Sequence, residues 1–476
     1  MKNENPLALS TSRIPMLLES LLLLMVEKVT GEAVKKAVQK MKAGKSDISG
    51  SYTSDALLHS PDIIFDSLAE VFSSFLVHGT ASRHLLVCAF LPLLKSNLKD
   101  PASTESYRAI AGSSLLLKLF DNVVLLIWGH HLTSDTLQFG FKPGVSTTQC
   151  SWLVQEVAGH YLRSGTPVIA TLCDCTKAFD LCQFDLLFEK LLNCGMPAIV
   201  ARIIIFCYEE QAAWVKWGNV KSEQFGISNG TRQGAVLSPP LFSLYLDDLL
   251  KELRALGVGC HMGGLWMGAT CYADDLLLLA PTCSAMEAMI KVCEKYAIRN
   301  NISFSTHENP VKSKTKCLYI CGDINRRDYP ATIKLNGKDL PFVTTATHLG
   351  HELSQDGSMT TDIRIKRAKF IDKSTEIRET FSFADPVQVL GAANTYCCDH
   401  YGSMLWDLFS EPANQYYRCW NTCTKLAWNC PRSTHTYFVT CQLAADFVPI
   451  RIKILASYVK FFRGLCRPRL YVGLNL

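Results

Sequence analysis

The chain has no apolar stretch long enough to cross a membrane. The longest candidate, "IPMLLESLLLLMV" (Ile14–Val26), is interrupted by Glu19 and falls short of the ~20 apolar residues a spanning helix needs. It does not read as a secretory signal either. The expectation is an amphipathic or partner-binding helix and no membrane association. Charge is also scarce: 19% of the 476 residues are Asp, Glu, Lys or Arg, against 48% hydrophobic. That composition supplies a large core, and the length predicts two or three domains. There is no internal repeat and no long low-complexity tract. The net charge of +5 and pI near 8.3 permit a polyanionic partner without demanding one. Paired C-x₂-C spacing is missing too. Cys419, Cys423, Cys430, His435 and Cys441 are interleaved with Trp420, Leu426 and Trp428, which reads as a packed helix rather than a zinc site.

Cysteine itself is plentiful, at 20 residues. Most lie inside apolar runs, and some are adjacent or nearly so (Cys173 and Cys175; Cys397 and Cys398). They read as buried, reduced thiols of an intracellular protein, in nucleus or cytoplasm, not as a secreted disulfide framework.

The patterning is mixed. "TGEAVKKAVQKMKAGKSDISG" places Ala33, Val34, Val38 and Met41 at helical spacing, with Gly44 as a stop. Residues 61–90 read as amphipathic helix and "SSLLLKLFDNVVLLIWGHHL" as another. "TPVIATLCD" is a short β-prone run ending in Asp174. A glycine-punctuated loop then leads into a helix opened by Pro239 and Pro240 and closed near Gly257. "TTDIRIKRAKFIDKSTEIRETF" is a basic helix, with Arg364, Lys366, Arg367, Lys369 and Lys373 outnumbering the local acids.

Two Tyr-x-Asp-Asp stretches compete for chemistry. In "LFSLYLDDLLKELRAL", Phe242, Leu246, Leu249, Leu253 and Leu256 recur at helical spacing, and Asp247 precedes Lys251 by one turn. This pair reads as a solvated helix face. In "GATCYADDLLLLAP", Asp274 and Asp275 lie between two short apolar runs, which reads as a β-hairpin with the acids at its tip. From that segment alone an ordinary surface turn explains the acids equally well. Asp174 decides the matter, because it ends an apolar strand of its own. Carboxylates gathered at a sheet end suit a hard divalent cation, which offsets the cost of crowding them.

"DCTKAFD", "NGTRQGAVLSPPLFSLYLDDLL" and "YADD" occur in that order. They resemble motifs A, B and C of a reverse transcriptase, most closely the non-LTR (LINE-type) retrotransposon polymerases. Group II intron enzymes share "YADD" and are the nearest competitor. "AVQKMKAGKSDISG", "LPLLKSN", "SYRAI" and "LQFGFKPGVSTTQ" resemble upstream segments of the same family, with Ala109 in place of a usual proline. "NPVKSKTKCLYI" and "ATHLGHEL" resemble motifs D and E.

The resemblance implies an α+β right-hand polymerase: an N-terminal extension (1–28), fingers and an upstream helical segment (29–165), a palm with an antiparallel sheet (166–355), and a helical thumb with the C-terminal region (356–476). It implies RNA-directed DNA synthesis from a DNA primer on an RNA template with dNTPs, using two Mg²⁺ ions, with Mn²⁺ as the substitute. Asp174, Asp274 and Asp275 would be the catalytic metal ligands and Lys312 the general acid. Lys95 and Arg108 would hold the triphosphate. Phe179 would exclude a ribose 2′-hydroxyl, although a phenylalanine is more often core. Gln233 and Gly234 would line the template–nucleotide pocket. Competing readings are a catalytically decayed RNA-binding remnant of a mobile element and an RNA-copying RNA polymerase.

Overall fold

The computed structural model describes residues 28–466, apart from 96–99, 177, 233, 310–311, 324, 327–328, 330–331 and 399. The Ile14–Val26 segment and Gln233 lie outside the described residues. The chain is a mixture of helices and sheets, the expected α+β class. It divides into two compact units. One comprises residues up to Phe141 with Cys175–Glu252 and Lys295–Phe304; the other comprises Lys142–Asp174, Leu253–Glu294 and Ser305–Leu476.

The first unit packs helices around one apolar core. Phe65, Ala69, Phe72 and Leu76 form the buried stripe of helix Asp62–His78, and Phe72 meets Phe120 of helix Leu115–Trp128 at 5.3 Å between ring centres. The helical pattern of residues 61–90 does not run to its end. It gives way after Leu86 to strand Val87–Leu94, because a short apolar run has no period that separates strand from helix. That strand pairs antiparallel with Tyr107–Gly112 and parallel with Ala212–Trp217. The lysine-rich segment is pinned by an acid: Asp47 accepts the Leu115 N–H at 2.8 Å and the Ser49 N–H at 2.9 Å.

The second unit is built on a five-stranded sheet with the order Phe342–Val343, Lys316–Ile320, Val168–Asp174, Asp275–Ala280, Ala269–Tyr272. Val168–Asp174 is central and nearly all buried, as a strand covered on both faces must be. Helix Thr147–Arg163 packs on this sheet and starts at a full capping box, Ser146 with Gln149. Beyond the sheet, helices Thr360–Thr380, Pro386–Tyr396 and Cys419–Ala427 share a core that includes Phe370, Leu390, Trp406, Cys419, Trp420 and Cys423. The Cys419 and Cys423 thiols are pushed up to about 11, mainly by burial. All 20 cysteines are free thiols.

The basic helix Thr360–Thr380 forms as expected, but its cations do not act alike. Arg364, Lys369 and Lys373 are exposed. Lys366 instead pairs with the buried Asp362 at 2.9 Å, and Asp362 also accepts the Trp406 Nε1–H at 2.8 Å and the Glu352 N–H at 3.1 Å. Arg367 turns toward Cys419. A charge count cannot see this, since the acid's other partners come from distant segments. Asp362→Ala would leave Lys366 uncompensated in a largely buried place and should lower unfolding free energy by about 3–5 kcal/mol, read from the urea midpoint. Lys369→Ala, on the exposed side, should change it by less than about 0.5 kcal/mol.

Candidate active site

Two strands of the central sheet end in acid at the same edge. Asp174 and Asp275 are direct cross-strand partners in the antiparallel pair. Tyr272 is the partner of Asp275 on the other side, so Ala273 and Asp274 form a two-residue hairpin turn. Ala273 is buried and takes a left-handed backbone, φ 57°, a conformation that costs an alanine about 1 kcal/mol or more. The turn holds Asp274 half-buried beside an exposed Asp275. The three carboxylates repel. Although Asp275 keeps contact with solvent, its carboxyl is pushed up to about 6, first by partial loss of hydration against the sheet end, then by the Asp274 and Asp174 charges.

The end of the Asp174 strand is fixed by its own backbone. Its N–H donates to Thr315 Oγ1 at 3.2 Å, and its carbonyl accepts the Ser305 N–H at 2.8 Å. Lys314 places its ammonium 3.6 Å from Asp174 Oδ2. Lys312, the lysine singled out from the sequence, is exposed in the preceding turn, with its N–H on the Asn309 carbonyl. Ser305 lies outside the motifs, and Lys314 and Thr315, though inside the stretch that resembles motif D, take no role from it. They would have been found only by asking which neighbours of the motif D segment alternate toward the strand end.

The second Asp-Asp pair differs in every respect. Asp247 is buried, 4% exposed, which corrects the solvated-face reading. Its carboxylate accepts the backbone N–H of Asp135 and pairs with Lys251 at 2.7 Å; that loop contact, over a hundred residues away, is invisible to helical periodicity. Asp248 pairs with Lys190 at 2.6 Å. A cavity of about 760 Å³ adjoins them, and Arg299 there pairs with Glu252 at 2.6 Å. Here each acid has a protein cation. At the sheet end the Asp274 and Asp174 charges instead raise the proton affinity of Asp275.

In the first unit, the loop before helix Ser238–Ala255 is pressed onto its neighbours. Gly230 (φ 83°) leaves no room for a side chain: a Cβ would stand 3.0 Å from the carbonyl oxygens of Phe179 and Asp180. Gly234 (φ 101°) brings the loop against strand Tyr107–Gly112, with a Cβ position 3.2 Å from the Ala111 carbonyl. Arg108 is exposed on that strand. Lys95, at the end of the neighbouring strand, donates from Nζ to the Glu105 carbonyl at 2.8 Å. Phe179 is half-buried, stacked on the buried Phe242 at 4.2 Å and edge-on to Phe141 at 6.2 Å. Below the loop, burial raises the Asp121 carboxyl to about 6 against the pull of Arg232. Asp121 also accepts the N–H groups of Val236 and Leu237 at the helix start, and Arg232 lies over the Tyr208 ring at 5.7 Å. This buried acid–arginine support was not legible in the sequence.

Residues 95–330 match the family described as Reverse transcriptase (RNA-dependent DNA polymerase). The chain carries a reverse transcriptase domain of the non-LTR retrotransposon type. The Pol polyprotein of the type-1 retrotransposable element R2 of Nasonia vitripennis is 27% identical over 232 residues, 48% of this chain and 22% of that one. The RNA-directed DNA polymerase from the mobile element jockey of Drosophila funebris is 24% identical over 383 residues, 78% of this chain and 40% of that one. The chain thus spans about a fifth to two fifths of the length of these relatives. A telomerase structure from Candida albicans covers 82% of this chain and 69% of its own at 12% identity, with a TM-score of 0.42, too distant a likeness to carry detail.

Among the described residues of the reverse transcriptase domain and its flanks, no three His, Cys, Asp or Glu side chains form a ready metal cage. The donor set still fits a divalent ion of the hard class. Three carboxylates meet at one edge, one of them with raised proton affinity, and Mg²⁺ commonly binds one or two carboxylates and completes its shell with water and substrate phosphates.

The repulsion has a measurable sign. Because the folded Asp275 pKa of about 6 exceeds the usual 3.8, its contribution is fully present below about pH 4 and is lost as pH rises through 6. In EDTA at pH 7.5, Asp275→Asn should therefore raise the melting temperature by a degree or two, about 1 kcal/mol or less after solvent screening. The difference from wild type should vanish toward pH 4. A destabilised variant at pH 7.5 would show that the acids are not in repulsion.

Proposed function

We propose that the chain is an RNA-directed DNA polymerase that extends a DNA primer 3′ end with dNTPs on an RNA template, as part of retrotransposon copying. The observation that carries this reading is the pairing of Asp174 with Asp275 at the sheet edge, with Asp274 in the adjoining turn. We read residues 166–355 as the palm, 29–165 as the fingers with the upstream segment, and 356–476 as the thumb region.

Asp174 and Asp274, supported by Asp275, would hold two Mg²⁺ ions, which neutralise the charge that gathers on the phosphates during nucleotidyl transfer. The chain's own residues do the rest. The ties from Asp174 to Ser305 and Thr315 keep the first carboxylate in place. Arg108 and Lys95 meet the triphosphate, the arginine as a planar fork and the lysine as a point charge. Gln233 and Gly234 line the nucleotide pocket; the close approach of Gly234 to the strand of Arg108 supports that role. Lys312 is the candidate proton donor to the leaving pyrophosphate, with Lys314 standing at Asp174 as its rival. Phe179, backed by Phe242, presents a stiff ring to the sugar. A 2′-hydroxyl against it would lose water partners and gain none, a loss of about 1–3 kcal/mol.

One primer-extension assay on an RNA template, supplied with dNTPs or NTPs, tests these roles together. Asp174→Asn and Asp274→Asn should each lower dNTP extension at least a hundredfold, about 3 kcal/mol in the barrier, without loss of template binding. Asp247→Asn should lower thermal stability while the folded fraction keeps its rate. Phe179→Val should reduce the dNTP-to-NTP ratio of kcat/KM about tenfold. Activity that survives Asp274→Asn and dies with Asp247→Asn would reverse the assignment, and an unchanged sugar ratio would return Phe179 to the core.

A further inference from the structure

One face of the sheet in the first unit carries charge that folding does not explain. Strand register and the two-residue side-chain period put Leu91, Arg108, Ile110, Trp214, Lys216 and Lys221 on the same face. Lys216 and Lys221 are direct cross-strand partners, and like charges so placed destabilise the pairing. Both are exposed. The Gly218–Asn219 turn, with Gly218 at φ 59°, locks this register, so the two ammonium groups remain neighbours. The five strands of the sheet contain no Asp or Glu at all. Lys221 Nζ rests 4.3 Å from the centre of the half-buried Trp214 ring. The opposite face is different: Tyr107 and Trp217 meet there at 5.1 Å, Phe90 and Phe225 at 6.2 Å, without a charged residue from the strands.

We propose that the Trp214–Lys216–Lys221 face binds single-stranded polynucleotide, the unpaired part of the template. The proposal rests on the polymerase reading for the identity of that strand. A flat ring beside clustered cations matches the alternation of base and phosphate, and stacking tolerates any base sequence. Unpaired bases are required, because bases within a duplex do not offer their faces. On binding, a base takes the place of the Lys221 ammonium over Trp214, and the ammonium moves to a phosphate. The cross-strand lysine repulsion is relieved in the same step. A protein partner held by apolar contact would choose the opposite face, where the exposed rings carry no charge.

The test is fluorescence anisotropy with labelled oligouridine RNA and with a blunt RNA–DNA duplex, at several salt concentrations. Trp214→Leu should weaken binding of the single strand about tenfold, with Trp214→Phe close to wild type. Lys216→Ala with Lys221→Ala should flatten the log–log salt dependence by about 1.4 and should raise the melting temperature slightly, since a repulsion is removed. Blunt-duplex affinity should not change in any of these variants. Trp217→Leu, on the opposite face, should leave single-strand binding intact. Wild-type affinity and slope in the doubly substituted lysine variant would overturn the proposal, as would an equal loss from Trp217→Leu. Primer extension by the wild type is the separate control: if it fails while the RNA-binding losses persist, the polymerase reading falls and this surface assignment stands.

Discussion

Like-charge repulsion at one edge of a sheet is the constraint around which the second unit is arranged. The central strand and its hairpin neighbour are buried along their length and emerge at Asp174 and Asp275 in register. A fold selected for stability alone would not end two core strands in facing carboxylates and add a third in the turn between them. The left-handed Ala273 backbone and the ties from Asp174 to Ser305 and Thr315 are local restraints that keep the acids from relaxing apart. Together they hold three carboxylates at one end of the sheet, a donor set that suits a hard divalent cation.

The same chain contains a control for this argument. Asp247 and Asp248 have the same local sequence, Tyr-x-Asp-Asp, yet the protein neutralises them itself through Lys251 and Lys190. Helix geometry places Lys251 one turn from Asp247, and a neighbouring helix brings Lys190 to Asp248, whereas strand register sets Asp275 opposite Asp174. The chemical difference between the two stretches comes from backbone conformation rather than from residue type. The first unit shows a related logic at Gly230 and Gly234, where the lack of a side chain lets a loop approach neighbouring backbone.

What was legible in the sequence was local. The hairpin around Ala273–Asp274, the helix opened by Pro239 and Pro240 and the basic helix after Thr360 each have a signal within a few residues, and each formed. What was not legible depends on contacts across the chain. Burial of Asp247 comes from the loop at Asp135. The commitment of Lys366 comes from an acid whose other partners are Glu352 and Trp406. Lys314 reaches Asp174 because motif D pairs beside the central strand. The change from helix to strand at Val87 goes with pairing to Tyr107–Gly112 and to Ala212–Trp217, the latter more than a hundred residues downstream.

The most direct measurement is retention of the incoming nucleotide by a complex in which chemistry is blocked. Protein, RNA template and a dideoxy-terminated DNA primer are mixed with the complementary dNTP, with Mg²⁺ or with EDTA, and bound nucleotide is measured by equilibrium dialysis. The account predicts retention of the complementary dNTP by the wild type only with Mg²⁺, and loss of that retention in Asp174→Asn and Asp274→Asn while the template–primer stays bound. Equal retention in EDTA, or in the two carboxylate variants, would contradict it.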